Sequence, residues 1–380
     1  MKLTISRHEL NEAVQQTVKA VSSRTTIPIL SGIKIDANER GITLTASDTD
    51  ISIQSYIPAE TPEKSVAVIS KSGSVVLPAK FFSEIVRKLP HEEVNIDVGD
   101  RFQTVIHSGT SEIQIVGMDP EEFPVLPNLE EDKVFSVPGD LLRSMIRQTV
   151  FAVTTNESTP VLTGVLWSLQ DGVFKFLATD RHRLATASIQ VETDSDIRFA
   201  NVVISGKTLG ELSKIIPDQI TLVDIVVAES QVQFKLGNVL FYSRMLDGTF
   251  PDTTKIIPTS YKTELVLPTR VLSDALDRAY LLSREEKTNI VRLSTTENGG
   301  VEISSSSSEL GRMQEQLETT ELTGDPVRIA FNSKYMLDVL KVTDSEQLFI
   351  GFTGSMSPII IKPREHDNAL HLILPYRTTN

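Results

Sequence analysis

Four groups of residues have types and spacings that could do chemistry. The run Val202-Val203-Ile204-Ser205-Gly206-Lys207-Thr208 reads as a strand leading through Gly-Lys-Thr into a helix, the order of a phosphate-binding loop. That loop needs a glycine five residues before the second one, and the position holds Asn201, so the cradle is missing. Asp180 and His182, in Thr179-Asp180-Arg181-His182-Arg183, pair a carboxylate with an imidazole, as a general base or a metal site would. No third partner follows with ligand spacing. Asp48 and Asp50 fit a solvated strand end better than a cation site. Ser304 to Ser308 reads as a strand edge or turn and has no nucleophile elbow. The chain has no cysteine, which removes thiol nucleophiles, thiolate zinc sites and disulfides together. Its six histidines avoid the H-E-x-x-H spacing. The expectation is a chain with no catalytic residue, no metal and no cofactor.

The elements that hold these residues repeat along the chain. Ala79-Lys80-Phe81-Phe82-Ser83-Glu84-Ile85-Val86-Arg87-Lys88-Leu89-Pro90 returns as Gly206-Lys207-Thr208-Leu209-Gly210-Glu211-Leu212-Ser213-Lys214-Ile215-Ile216-Pro217, then as Ser333-Lys334-Tyr335-Met336-Leu337-Asp338-Val339-Leu340-Lys341. The lysines at 80, 207 and 334 are 127 residues apart. Ile27-Pro28-Ile29-Leu30-Ser31-Gly32-Ile33 matches Thr159-Pro160-Val161-Leu162-Thr163-Gly164-Val165 at an offset of 132, and Ala46-Ser47-Asp48 matches Ala178-Thr179-Asp180 at the same offset. Three periods of 127 nearly exhaust 380 residues, and a repeat of that length is a domain.

Each copy reads as helix, strands, helix, strands. Apolar stripes at helical spacing are Leu10, Ala13, Val14, Thr17 and Val21, then Leu142, Met145, Ile146 and Thr149, then Leu272, Ala275, Leu276 and Ala279. The predicted helices are 8–19, 80–89, 139–150, 206–216, 269–281 and 332–342. Runs such as 41–46, 231–236 and 348–352 read as antiparallel strands with one buried face. Loop segments at 125–128 and 257–260, each with one proline, mark boundaries. This predicts an α+β chain of three like domains, 1–128, 129–258 and 259–380, each with two helices on antiparallel sheet.

Composition is that of an ordinary globular protein, with 40% hydrophobic and 23% charged residues. No apolar run reaches the length of a membrane span, and the N-terminus lacks a signal core, so a cytoplasmic protein is expected. The net charge of −13 argues against nucleic acid when taken alone. Its distribution argues the other way. The six predicted helices hold twelve Lys and Arg against eight Asp and Glu, a net +4, leaving −17 for the rest. Threefold repetition adds this small bias around one surface, where it would attract phosphates without reading bases.

The segments Arg24-Thr25-Thr26-Ile27-Pro28-Ile29-Leu30, Ala178-Thr179-Asp180-Arg181-His182-Arg183-Leu184-Ala185, Leu246-Asp247-Gly248-Thr249-Phe250-Pro251-Asp252, Phe331-Asn332-Ser333-Lys334-Tyr335-Met336-Leu337-Asp338-Val339-Leu340 and Leu374-Pro375-Tyr376-Arg377 resemble the bacterial DNA polymerase III beta subunit family over the full length. The resemblance implies a sliding clamp: a head-to-tail homodimer whose six domains close a ring around duplex DNA, with no catalysis of its own. It implies a DNA lining from Arg24, Lys80, Arg147, Lys207, Lys214, Arg278, Lys334 and Lys341, with Arg284 and Lys287 on a third-domain loop. It implies that Leu281 and Leu282 face Ile85 and Leu89 of the other chain. It also implies a groove for short linear peptides of the polymerase catalytic subunit, the clamp loader, other polymerases and repair proteins. The matching groove residues are Leu162, Thr179, His182, Arg183, Leu184, Pro251, Ile256, Tyr335, Leu372, Leu374, Pro375, Tyr376 and Arg377. Family members often end in an apolar residue soon after the matching arginine, whereas Thr378-Thr379-Asn380 follow here.

Overall fold

A computed structural model describes residues 1–22, 25–62, 64–126, 134–193, 196–218, 221–285, 288–296 and 298–377. Arg24, Lys287 and Thr378–Asn380 lie outside the described residues, as does the predicted boundary at residue 128. Six α-helices are described: α1 (Arg7–Thr17), α2 (Ala79–Lys88), α3 (Gly139–Val150), α4 (Gly206–Ile215), α5 (Thr269–Ser283) and α6 (Ser333–Val342). Each matches a predicted helix within two residues at its ends. None is long and apolar enough to cross a membrane.

The chain divides into two compact units. The first comprises 1–140 and 211–245, the second 141–210 and 246–380. The segment predicted as a central domain is therefore shared between them.

The first unit holds two antiparallel sheets. One runs, in order, Ala67–Lys71, Lys2–Ser6, Glu93–Val98, Gln103–Ser108 and Ser111–Val116. The other runs Val134–Pro138, Leu222–Val227, Gln231–Leu236, Val239–Arg244, Ile51–Pro58, Gly41–Ser47, Gly32–Asn38 and Gly73–Pro78. Alternation buries Leu3, Ile5, Val94 and Ile96, and Leu10 and Val14 of α1 and Phe82 and Val86 of α2 are buried too. The helices α1 and α2 pack on each other.

The second unit repeats the plan. Its larger sheet runs Phe199–Ser205, Gly164–Gln170, Val173–Thr179, Arg183–Gln190, Ala369–Ile373, Ile359–Pro363, Gln347–Phe352, Thr263–Pro268 and Glu321–Gly324. Its smaller sheet runs Gly311–Leu317, Val301–Ser307, Ile290–Thr295 and Arg328–Asn332. Val291, Leu293, Ile303 and Phe331 pack against Leu272 and Leu276 of α5 and Met336 and Leu340 of α6. Fully burying one such side chain stabilises by about 1.5–3 kcal/mol. The serine run at 304–308 lies mostly within a strand of this sheet.

Each large sheet contains a joint between strands about 190 positions apart in sequence. In the first joint Ile51–Pro58 pairs with Val239–Arg244, Ile53 opposite Phe241. In the second, Arg183–Gln190 pairs with Ala369–Ile373, Ala185 opposite His371. The repeat superposes one joint on the other: Ile53 and Ala185 differ by 132 positions, Phe241 and His371 by 130.

Candidate functional site

The turn at 179–183 is built by Asp180. One carboxylate oxygen accepts from the main-chain N–H of His182 at 2.9 Å and of Arg183 at 3.0 Å, while Arg181 takes a left-handed φ of 75°. Asp48 does the same in its own copy, accepting from Asp50 and Ile51 at 3.1 and 2.9 Å. Both aspartates are thus turn formers. The second oxygen of Asp180 is held by Arg183 Nε at 3.0 Å, which leaves no free base beside His182. Likewise Gly206-Lys207-Thr208 is the first turn of α4, with Thr208 buried.

Arg183 is tethered from several sides. Its Nη1 donates to Asp338 of α6 at 2.6 Å, and its guanidinium lies 4.5 Å from the Tyr335 ring centroid and 5.3 Å from that of Phe151. Its side chain is 11% exposed, against 12% for Asp180 and 21% for Asp338, so the triad is largely desolvated. Burial, followed by the charge of Asp180, pushes the Tyr335 phenol above its usual range. Sequence reasoning missed Asp338 and Phe151, although Asp338 lay inside a quoted segment.

Around this triad the predicted groove residues separate into a floor and a rim. Leu162, Leu184 and Leu372 are buried in one cluster with Leu177, Val203, Phe250 and Ile360. Thr179 is buried and donates to the Arg183 carbonyl at 2.7 Å. Above them His182, Pro251, Ile256, Leu374, Tyr376 and Arg377 are exposed, and Tyr335 and Pro375 half-buried. Leu374 N–H donates to the His182 carbonyl at 2.9 Å, which joins the two sides of the rim. The His182 and Tyr335 rings lie 6.5 Å apart. Arg183 is engaged by two carboxylates and two aromatic rings.

The predicted DNA-lining cations are all on the surface where they are described: Lys80, Arg147, Lys207, Lys214, Arg278, Arg284, Lys334 and Lys341 are exposed. Lys214 pairs with Glu211 at 2.8 Å, Arg278 with Glu315 at 2.5 Å and Arg284 with Glu285 at 3.3 Å. Lys80, Arg147, Lys207, Lys334 and Lys341 make no ion pair among the described residues. Lys80, Lys207 and Lys334 each occupy the second position of α2, α4 and α6. A cation there opposes the helix dipole and costs about 0.3–1 kcal/mol. The same dipole adds to the lysine when a phosphate approaches.

Of the four predicted interface residues, Leu281 is 52% exposed, and Ile85 and Leu282 are half-buried. Leu89 is 2% exposed. Its side chain is buried within its own unit. Phe81, about two turns earlier on α2, is 64% exposed and was missed.

Family models for the DNA polymerase III beta subunit match the chain three times: the N-terminal domain at residues 1–127, the central domain at 136–252 and the C-terminal domain at 254–377. The beta sliding clamp of Halalkalibacterium halodurans is 49% identical over 379 residues, covering 100% of both chains. The crystal structure of the DNA polymerase sliding clamp from Bacillus subtilis is similar with a TM-score of 0.97 at 48% identity, again covering 100% of both chains. That of the DNA polymerase III beta chain from Streptococcus pneumoniae gives 0.95 at 35% identity, covering 99% of this chain and 100% of that one. With three family domains in order and full-length relatives near half identity, the chain belongs to the DNA polymerase III beta subunit family, the beta sliding clamps.

Proposed function

We propose that two copies of this chain close head to tail into a ring around duplex DNA, and that the ring tethers polymerases and other DNA-processing proteins through short peptides. As a beta sliding clamp the chain is a processivity factor with no catalysis of its own, and its place is the cytoplasm with the replication machinery. We read its three domains as 1–128, 129–258 and 259–380.

The observation that supports closure is that two sheet ends are strands whose repeat counterparts are paired within the chain. The repeat makes Ser111–Val116 the counterpart of Val239–Arg244 and Ala369–Ile373, and Gly311–Leu317 the counterpart of Ile51–Pro58 and Arg183–Gln190. The counterparts pair within the chain, whereas Ser111–Val116 and Gly311–Leu317 each end a sheet. An exposed edge is a template for another strand. Pairing these two edges between copies repeats the same joint twice more, and a head-to-tail contact that closes makes a finite ring. The helices agree. Leu281 is the counterpart of Phe151 and Lys19, which make contacts beside the joints: Phe151 lies 5.7 Å from the His371 ring, and Lys19 Nζ donates to the Lys214 carbonyl at 3.1 Å. Phe81 is the counterpart of buried Thr208 and half-buried Tyr335. The exposed Phe81 and Leu281 therefore sit where a joint would cover them.

A ring cannot leave DNA sideways, so weak phosphate contacts from Lys80, Arg147, Lys207, Lys334, Lys341 and their neighbours suffice and permit sliding. Leu and Phe anchors of partner peptides would enter the floor of Leu162, Leu184 and Leu372 between the exposed rim residues, and tethering raises effective concentration. The test is topological. Clamp placed on nicked circular DNA by its loader should stay, and should run off once the circle is cut. Equal retention on cut and uncut DNA would refute the ring.

A further inference from the structure

The outer face of the four-stranded sheet in the second unit carries a basic cleft whose two arginines the groove does not account for. The register sets Arg292 opposite Ala330 and Ser294 opposite Arg328, so both arginines project from the face away from buried Val291, Leu293, Ile329 and Phe331. They are diagonal neighbours, a separation of about 7–8 Å between backbones. With Ser355, Met356 and Tyr376 they line a cleft of about 510 Å³. Met356 is 52% and Tyr376 50% exposed.

Neither guanidinium makes a hydrogen bond or ion pair among the described residues. Elsewhere in this unit Arg183, Arg278 and Arg364 each hold a carboxylate. The register also places Glu302 on this face, opposite Ser294, but that carboxylate accepts from Gln314 at 2.6 Å and pairs with neither arginine. Two neighbouring like charges repel, and an anion seated between them would turn that repulsion into charge-assisted hydrogen bonds.

The cleft is continuous with the peptide groove. Leu374 donates to His182 on the groove rim, and two residues later Tyr376 N–H donates to the Ala330 carbonyl at 2.7 Å on the cleft floor. Two extended residues span at most about 7 Å. We propose that the Arg292–Arg328 cleft binds an acidic side chain of the partner peptide, a few residues from its apolar anchor. This rests on the groove reading above. The apolar contribution of Met356 and Tyr376 and the adjoining rim favour a peptide over nucleic acid.

The test compares two fluorescent peptides, each with a Leu-Leu-Phe anchor flanked on both sides by three glutamates or by three glutamines. The full-length wild type should bind the glutamate peptide about fivefold more tightly at low salt, as two partly exposed ion pairs would give. In R292Q/R328Q that advantage should vanish with glutamine-peptide affinity unchanged, and in R292K/R328K part of it should remain. A wild type indifferent to glutamate, or a preference that survives R292Q/R328Q, overturns the inference while leaving the groove intact. Failure of the glutamine peptide to bind overturns the groove reading and this inference with it. Oligothymidylate binding that R292Q/R328Q abolishes, with no glutamate preference, would reassign the cleft to nucleic acid.

Discussion

The Arg183–Gln190 edge and the Gly311–Leu317 edge are the same part of the repeat in two situations. The first is paired with Ala369–Ile373, flanked by the Arg183 triad and by His371, and its surroundings are buried. The second has no strand beyond it among the described residues, and Leu281 near it is exposed. Like modules have diverged according to whether a covalent neighbour covers them. The paired joint could afford buried charge and a buried imidazole. The open edges hold exposed apolar residues on their helices, which a single chain has no reason to keep.

The largest effect should come from the open edges. Combining Phe81→Glu with Leu281→Asp should weaken the dimer by about 1000-fold, about 4 kcal/mol, because each buries a charge in an apolar contact. Sedimentation velocity would show monomers with unchanged circular dichroism. A stable dimer would place the contact elsewhere.

At the paired joint, Arg183→Ala leaves Asp180 and Asp338 without their cation and should cost about 2–4 kcal/mol in urea unfolding. It should also weaken binding of an anchored peptide by displacing Tyr335 and the 179–183 turn. Arg183→Lys, which loses the forked geometry, should fall between.

His371 sharpens the contrast between the two paired joints. It is fully buried, its Nε2 lies 3.1 Å from Gln148 Oε1, and burial lowers its pKa from 6.5 to about 4. The neutral ring therefore stabilises the fold fully above about pH 6.5. That contribution is lost as pH falls toward about 4, for a total of about 3 kcal/mol. His371→Asn should flatten the stability of the second unit across this window. The first joint, with Phe241 at the equivalent position, should lack this dependence, which hydrogen exchange can resolve.

The smallest effect belongs to the helix-start lysines. Each of Lys80→Ala, Lys207→Ala and Lys334→Ala should lower the salt dependence of DNA binding by about one counterion or less, with equal effect on any DNA sequence.

Much of the fold was legible because helical periodicity and the 127-residue repeat are both local patterns. Helix ends came within two residues, since each helix starts beside a strand whose alternation breaks there. Burial was harder to read. Leu89 and Leu281 are both apolar residues near helix ends, yet one is core and the other surface. The distinction depends on which neighbour folds over them. Asp338 was visible in a motif, but its pairing with Arg183 spans 155 residues and no local spacing encodes it. The cleft at Arg292 and Arg328 is set by strand register, which sequence alone leaves open.

The claim of a closed ring can be tested at one pair of positions. Carrying the register of the two internal joints onto the open edges sets Gln114 opposite Arg312. The chain has no cysteine, so Q114C/R312C introduces the only thiols. Mild oxidation should give a single covalent species at twice the 42.0 kDa chain mass. A ladder of higher species would mean that the head-to-tail contact does not close, and uncrosslinked chains in a dimeric sample would mean that these edges do not meet.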